Sequence, residues 1–234
     1  MARKKKFNLK QSIKKLPKTI LKILLLIAWC VSLSAFGDDR LNQILAEMEQ
    51  AGEQLKTLEA RFDQNSHDYI LDMDETTSGK LYVKLPGNIR WEYEPPSPKV
   101  LLVAGDKIRL FNPTSNQVQE FERGQMRGGG ADLLIGFGKS NAEIGKNYDV
   151  SLLEESEAAV VLELVPKPGS SASIFKAIEL TMEKERWIPV RSLFRELNRD
   201  TTEILFKDMK VNGKLPPKAF ELDLPPNVEI IRNK

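Results

Sequence analysis

Apolar side chains recur at every second position through much of the chain, and this alternation constrains the fold more than any other feature. Apolar residues alternate with mostly polar ones at 81–85 and 89–93, and again at 160–164 and 178–182. Neighbouring residues of a strand point to opposite faces of a sheet, so the pattern indicates one apolar face and one solvated face. Sheets of this kind are typically antiparallel.

Turn-forming residues separate the alternating runs, mostly at intervals of about 8–12 residues. Clusters of Pro, Gly, Asn and Asp stand at 86–88, 95–98, 105–106, 112–113, 198–200 and 212–213. No alternation of strands with helices is visible, which disfavours a parallel sheet. The pattern therefore predicts one large, curved antiparallel sheet, as in a sandwich or a barrel.

An amphipathic helix is predicted ahead of the sheet. Its apolar stripe, at the 3.6-residue spacing of a helix, comprises Leu41, Ile44, Leu45, Met48, Ala51, Leu55 and Leu58. Charged and polar residues occupy the other side, and two acids at 38–39 suit the positive end of the helix dipole. We expect this helix to cover the core of its own domain.

The first 37 residues have the three parts of a secretion signal. Residues 1–22 are basic without any acid, residues 23–33 are apolar, and Ala35-Phe36-Gly37 has small residues at its ends. The apolar run is shorter than the ~20 residues that a membrane-spanning helix needs. We predict a cleaved signal peptide at 1–37 and one domain at 38–234, with an uncleaved N-terminal anchor as the alternative.

Removal of this segment would make the protein acidic. The chain has 35 Lys and Arg residues and 33 Asp and Glu residues, and residues 1–37 contain nine of the bases but no acid. Subtracting nine from 35 leaves 26 bases against 33 acids, a formal charge of −7. Nucleic-acid binding is disfavoured, because contacts with phosphates require clustered cations.

The single cysteine, Cys30, lies within the apolar run of the signal. Residues 38–234 can therefore form neither a disulfide nor a thiolate metal site. A lipidation motif at Cys30 is disfavoured, because the bulky Trp29 precedes it and the apolar run continues beyond it.

A glycine-rich stretch interrupts the alternation at 124–147. Its seven glycines surround a short apolar group, namely Leu133, Leu134, Ile135 and Phe137. The stretch lacks the glycine spacing of a phosphate-binding loop. We predict one or two short helices that form a mobile cover, with an ordinary buried connection as the alternative.

Catalysis finds little support in the residue types. His67 is the only histidine, and it lies in a polar run without an obvious triad or zinc partner. The acids Asp72, Asp74 and Glu75 lack the ligand spacing of a calcium-binding loop, so a solvated turn is the better interpretation. We expect a protein that is not an enzyme and that has no metal site or cofactor.

A curved sheet with inward-pointing aromatic residues and few helices tends to enclose a cavity. The predicted wall of this cavity comprises Trp91, Tyr93, Phe111, Phe121, Ile178, Leu180 and Phe206. The predicted lid comprises Leu41, Ile44, Leu45 and Met48 of the helix with Leu133, Leu134, Ile135 and Phe137 of the insert. Each residue taken alone also fits an ordinary core, but together with export they favour a carrier of an apolar molecule.

Four segments resemble the outer-membrane lipoprotein carrier family, LolA. They are Phe62-x-Gln64, the run SGKLYVKLPGNIRWEY at 78–93, the run VAGDKI-x-LFNP at 103–113 with NQV after it, and FELDLPPNVEI at 220–230. The resemblance implies an unclosed antiparallel β-barrel, or half-barrel, with helices as a lid over a hydrophobic cavity. It also implies a periplasmic monomer that takes lipoproteins from an inner-membrane lipoprotein-releasing transporter and passes them to the outer membrane, where a receptor can accept them.

One position departs from the family pattern. Family members often have an arginine just before the strand-ending proline, where it can hydrogen-bond the lid, and this chain has Leu85 there. The neighbouring Lys84 is expected to point to the opposite face. We hypothesise that the lid is held differently and that hand-off or cargo differs too.

Two other functions fit the same fold. One is a periplasmic shuttle for free lipids or glycolipids. The other is a stress-sensing module that binds a partner protein, a class that usually has a further C-terminal domain beyond the closing strand.

Overall fold

The computed structural model describes residues 39–122, 137, 140–170 and 172–232. The predicted signal peptide at 1–37 lies outside the described residues, and so do Leu133, Leu134 and Ile135 of the predicted lid.

The chain divides into two compact units, residues 1–44 and residues 45–234. The predicted N-terminal helix, α1, is present, and its described part covers 39–54 across both units. Ile44 and Met48 of the predicted stripe are buried, whereas Leu41 and Leu45 are half-buried.

Twelve strands and a second helix follow in the described part of the chain. They are β1 Thr57–Asp68, β2 Met73–Lys84, β3 Asn88–Tyr93, β4 Lys99–Ala104, β5 Lys107–Asn112, β6 Gln117–Glu122, α2 Asn141–Asn147, β7 Tyr148–Glu155, β8 Ala159–Pro166, β9 Phe175–Glu183, β10 Ile188–Glu196, β11 Thr201–Val211 and β12 Glu229–Arg232. The strands form one sheet in the order β12-β6-β5-β4-β3-β2-β1-β11-β10-β9-β8-β7. The predicted mainly β fold, a single curved and unclosed sheet, is confirmed.

One pair of strands differs from the antiparallel rest: β12 runs parallel to β6, with Glu229 opposite Gln117. Residues 212–228, which contain no strand, connect β11 in the middle of the sheet with β12 at its edge. This crossing segment is held where Arg90 Nη1 donates to the Glu221 carbonyl (2.8 Å) and Asn116 Nδ2 donates to the Asn227 carbonyl (3.0 Å).

The boundary between α1 and β1 is set by Asn212, which follows β11. Its Oδ1 accepts hydrogen bonds from the backbone N–H groups of Lys56 (2.7 Å) and Thr57 (3.3 Å), and its Nδ2 donates to the Gln54 carbonyl (3.0 Å). The helix therefore ends at 54, and Leu58, which the apolar stripe had included, belongs to β1 instead.

Glu120 on β6 holds the edge of the sheet together. Its carboxylate accepts from Lys107 Nζ (2.7 Å) and Arg109 Nε (2.8 Å) of β5, and Arg232 of β12 lies 3.6 Å away. The hydrogen bonds from Lys107 and Arg109 lower the pKa of Glu120 from 4.5 to about 2. The ionised carboxylate thus stabilises the fold above pH 4.5, and this stabilisation is lost as the pH falls towards 2.

At β2, Gly79 makes room for an aromatic ring of the neighbouring strand. A Cβ placed on Gly79 would lie 2.1 Å from the Glu92 carbonyl oxygen and 2.7 Å from Cζ of Phe62. The oxygen belongs to the β3 backbone and cannot swing away, so Gly79 permits both the strand pairing and the position of the Phe62 ring.

We expect Gly79→Ala to lower the free energy of unfolding by about 3 kcal/mol, because overpacking forces the backbone and the ring to shift. Urea unfolding followed by circular dichroism measures the loss. Gly213→Ala is the matched control, since its Cβ would meet nothing nearer than 4.0 Å. Equal stability of the two variants would contradict this role of Gly79.

We expect Glu120→Gln to lower the free energy of unfolding at pH 7 by about 1 kcal/mol, because the ion-paired hydrogen bonds to Lys107 and Arg109 are weakened. The difference from the wild type should shrink between pH 4.5 and about 2, where the wild-type carboxylate becomes protonated. Denaturant unfolding across this pH range measures it. Glu157→Gln, in the exposed β7–β8 turn, should change stability little at any pH, and a pH-independent effect at Glu120 would refute the assignment.

Candidate functional site

The two faces of the sheet differ sharply in character. In the strand register, Phe62 lies between Phe206 on one neighbouring strand and Gly79 on the other. Gly79 in turn lies opposite Tyr93, and Leu81 lies opposite Trp91. Side chains directly opposite one another share a face. We call the side that carries Phe62 the apolar face and the other side the charged face.

The apolar face continues across nine neighbouring strands, from β5 to β8. The buried apolar residues that the register places on it are Ile108, Leu101, Val103, Ile89, Trp91, Tyr93, Leu81, Val83, Leu58, Ala60, Phe62, Ile204, Phe206, Phe194, Ile178, Leu180, Met182, Val160, Leu162 and Leu164. An unbroken apolar surface of this extent can bind apolar molecules or pack against apolar covering elements.

An aromatic cluster occupies the middle of the apolar face. The ring of Phe62 meets Trp91 edge-on at 4.7 Å between centroids and Tyr93 at 5.0 Å. Phe206 continues the cluster, at 6.0 Å from Trp91 and 5.2 Å from Phe137. Phe62 thus forms the centre of the cluster, although the alternation pattern did not single it out as a wall residue.

A short polar string crosses the same face beside these rings. The Tyr93 hydroxyl donates to Gln64 Oε1 (2.9 Å), Gln64 Nε2 donates to Ser66 Oγ (3.2 Å), and Ser66 Oγ lies 3.4 Å from Thr202 Oγ1. Burial raises the pKa of Tyr93 to about 12, so its hydroxyl keeps the proton that it donates.

Three further polar atoms on this face are buried and have no hydrogen-bond partner among the described residues. They are Trp91 Nε1, Thr77 Oγ1 and Ser192 Oγ. Gln64 lies opposite Thr77 on one side and opposite Ile204 on the other. Ser192 lies opposite Ile204, so Thr77 and Ser192 are on the same face as Gln64. The apolar face therefore offers a few hydrogen-bond donors within a mostly apolar surface.

The predicted wall residues do not all lie on one face. Trp91, Tyr93, Ile178, Leu180 and Phe206 are buried on the apolar face. Phe121 shares that face, opposite Ile108, and is half-buried.

Phe111 lies on the other side of the sheet, opposite Val100 and Val118. It is nevertheless buried, on the same face as Arg90, which binds the crossing segment. The interpretation of Phe111 as an inward-facing wall residue is therefore corrected.

Asn141, which the sequence had not singled out, joins the two helices. Asn141, the first residue of α2, donates from Nδ2 to the Leu45 carbonyl (2.9 Å) and to Glu49 Oε2 (3.0 Å) of α1. Its backbone N–H donates to Glu49 Oε1 (3.2 Å). A capping box between Ser140 and Glu143 fixes the start of α2 at this point.

The predicted lid is described only in part. Phe137 is buried and contacts the Phe206 ring, Met48 is buried, and Leu45 is half-buried. Leu85 is half-buried just after β2, and its backbone N–H donates to the Lys56 carbonyl (2.9 Å). The adjacent Lys84 is exposed on the charged face.

Ion pairs cover the charged face. Arg191 binds Glu203 (2.5 Å) and lies 3.7 Å from Glu179, and Arg195 also binds Glu179. Lys207 pairs with Asp63 across β11 and β1 in the same way. These contacts give the sheet a solvated outer surface, as the alternation predicted.

A polar cavity of about 430 Å³ opens beside His67, among Asn65, Asp74, Thr76 and Glu203. His67 Nδ1 lies 2.9 Å from Asp74 Oδ1, and this hydrogen bond raises the pKa of the histidine. Ser66 points to the opposite face, so it forms no catalytic pair with His67. No cluster of three metal-ligating side chains occurs among the described residues.

Neither helix of the described residues has both the length and the apolar character of a membrane-spanning helix.

Comparisons with known proteins identify relatives of this chain. Residues 53–223 match the family described as outer membrane lipoprotein carrier protein LolA. An outer-membrane lipoprotein carrier protein from Pseudomonas paraeruginosa is 29% identical over 177 residues, covering 76% of this chain and 82% of that protein. One from Azotobacter vinelandii is 28% identical over 214 residues, covering 91% and 99%.

Among solved structures, an uncharacterized conserved protein from Thermus thermophilus superimposes with a TM-score of 0.55 at 15% identity, covering 83% of this chain and 99% of that one. This similarity shows a common fold. Because the family match at 53–223 extends over well more than half of the sequence, the chain belongs to the LolA family of outer-membrane lipoprotein carrier proteins.

Proposed function

We propose that this protein is a periplasmic chaperone that shields the acyl chains of lipoproteins and delivers lipoproteins from the inner to the outer membrane. The observation that carries the proposal is the continuous apolar face across nine strands, with Trp91, Phe62 and Phe206 at its centre. Family membership supports the choice of lipoproteins as cargo.

Such a carrier is needed because acyl chains cross water at high cost. Burial of a methylene contributes ~0.8 kcal/mol, so a triacylated lipoprotein with about 45 methylenes faces on the order of 35 kcal/mol for leaving the membrane unshielded. A binding face that shields even part of the chains makes transfer feasible. The few donors at Trp91 Nε1, Thr77 and Ser192 orient a ligand without binding it too tightly for release.

The covering elements supply the step that opens and closes the face. Phe137 contacts Phe206 on the face itself, and Asn141 ties the start of α2 to Leu45 and Glu49 of α1. In the proposed cycle, acyl chains displace Phe137 from the aromatic cluster. The hydrogen bonds of Asn141 make α1 and α2 move together when this happens.

The proposed partners are a lipoprotein-releasing transporter in the inner membrane, which loads the carrier, and a receptor or acceptor at the outer membrane. The carrier is proposed to act as a monomer. With the first 37 residues removed, its formal charge of −7 would favour docking to basic surfaces of these partners.

We expect the protein purified from its own cell envelope to contain a triacylated lipoprotein or its lipid-modified N-terminal peptide. Native mass spectrometry, followed by organic extraction, detects either one. Phe121→Asp puts a charge on the apolar face and should reduce the bound fraction at least about tenfold, since a buried charge is costly.

Glu122→Asp is the matched control for Phe121→Asp, because the neighbouring side chain is exposed on the charged face. It should leave the bound fraction unchanged. Extraction of a free phospholipid or glycolipid would instead support the lipid-shuttle function on the same fold. Protein that is repeatedly empty and ignores fluorescent acyl probes would refute both.

Leu85→Arg tests whether the departure from the family pattern alters release. An arginine at this half-buried position adds donors near the end of α1, where Leu85 is already bonded to Lys56. We expect release of a fluorescent acyl probe to slow by about threefold, equivalent to one weak hydrogen bond. Lys84→Arg, on the exposed side, is the control, and unchanged release in both variants would remove the hypothesis.

A further inference from the structure

Exposed apolar side chains are concentrated at one end of the sheet. Of the ten large hydrophobic residues that are exposed in the described part of the chain, six lie in or beside the β1–β2 turn, the β10–β11 turn and the start of β9. These six, which we call the apolar tip, are Tyr69, Ile70, Leu71, Met73, Ile174 and Leu197. Ile70 is 79% exposed and Leu71 is 65% exposed.

The two turns form one surface because they bind each other. The backbone N–H of Tyr69 donates to Asp200 Oδ1 (2.9 Å), and Arg199 Nη1 donates to the Tyr69 hydroxyl (2.5 Å). The Leu197 N–H donates to the Ile174 carbonyl (3.1 Å), which joins the start of β9 to the same end of the sheet. The apolar tip is thus a composite of three chain segments.

We propose that the apolar tip inserts into the headgroup region of a zwitterionic phospholipid bilayer. This goes beyond the proposed function, because a carrier can exchange cargo through protein partners alone. Contiguous exposed apolar side chains on a protein surface mark interaction sites with proteins or membranes. The tip projects at a turn instead of forming a groove, which fits insertion into a membrane surface.

Backbone N–H groups of the tip are already hydrogen-bonded within the protein, as a medium of low polarity requires. Asp68 Oδ1 accepts from the N–H groups of both Ile70 and Leu71, at 2.9 Å each. With the bond from Tyr69 to Asp200, three consecutive N–H groups are bonded to side-chain carboxylates. Unsatisfied N–H groups are costly in lipid, so this arrangement removes the main penalty for inserting a turn.

Tyr69 and Arg199 lie at the level that the headgroups would occupy. The guanidinium of Arg199 stacks on the Tyr69 ring, 4.8 Å from its centroid. Tyrosine is enriched at membrane interfaces, and arginine places its charge among headgroups while its stem stays in the apolar layer. The pair therefore forms a polar collar behind Ile70 and Leu71.

The charges around the tip select the kind of bilayer. The acids on or beside the two turns are Asp68, Asp72, Asp74, Glu75, Glu196 and Asp200, whereas the nearby cations are Lys176, Arg195 and Arg199. This acidic surrounding is repelled by anionic phospholipids. Zwitterionic headgroups impose no such repulsion, and the insertion depth expected for an apolar turn is about 5–10 Å.

A single fluorescent label tests the proposal on the full chain. Cys30 is the only cysteine, so Cys30→Ser with Leu71→Cys provides a unique thiol for a nitrobenzoxadiazole label. Vesicles of phosphatidylcholine and phosphatidylethanolamine should raise the emission about threefold and shift it to the blue, as the label leaves water for the acyl boundary. The same label at Leu153→Cys, which is 47% exposed on β7, should not respond.

Attachment of the protein to vesicles does not by itself decide the matter, because the basic N-terminal segment is present in every variant. If the protein co-sediments with the vesicles but the label at position 71 does not respond, the proposal is overturned. The tip is then assigned to a protein partner. A larger response to phosphatidylglycerol vesicles overturns the zwitterionic preference. Since these vesicles contain no lipoprotein, either result leaves the cargo measurement independent.

Discussion

The central constraint of this structure is an apolar sheet face that the sheet does not cover by closing on itself. Twelve strands in one sheet leave their two edges apart, so residues such as Trp91, Phe62 and Leu180 must be buried by something other than strands. Among the described residues, Phe137, which contacts Phe206 from outside the strands, provides part of that cover. A cover of this kind can be exchanged for a ligand far more easily than a second sheet could.

The position of Phe62 shows how local geometry sets the centre of the face. Its ring fits over Gly79 because that residue has no side chain, and from there it contacts both Trp91 and Tyr93. The Tyr93 hydroxyl then reaches Gln64, which brings a hydrogen-bonded string onto an otherwise apolar surface. Aromatic packing and buried hydrogen bonds thus hold the side chains at the centre of the face in one arrangement.

Alternation along the strands was sufficient to predict the sheet and most of its apolar face, but it failed where two apolar residues are adjacent. Leu110 and Phe111 point to opposite faces, and periodicity alone does not say which of the two faces the core. The crossing segment after β11 contacts Arg90 on the same side of the sheet, and Phe111 is also buried on that side. Long-range coverage of this kind leaves no signal in local sequence.

The link between α1 and α2 could not be predicted from the sequence for a different reason. Asn141 is an ordinary helix-starting residue in pattern, and only the fold brings its amide to Leu45 and Glu49. Asn141 makes two hydrogen bonds from Nδ2 and one from its backbone N–H, and each contributes about 1 kcal/mol. Together they hold the two helices to each other, yet breaking all three costs only a few kcal/mol. Acyl chains that contribute ~0.8 kcal/mol per methylene can offset this with only a few buried methylenes. In the proposed cycle, such opening would thus be within reach of a lipid ligand.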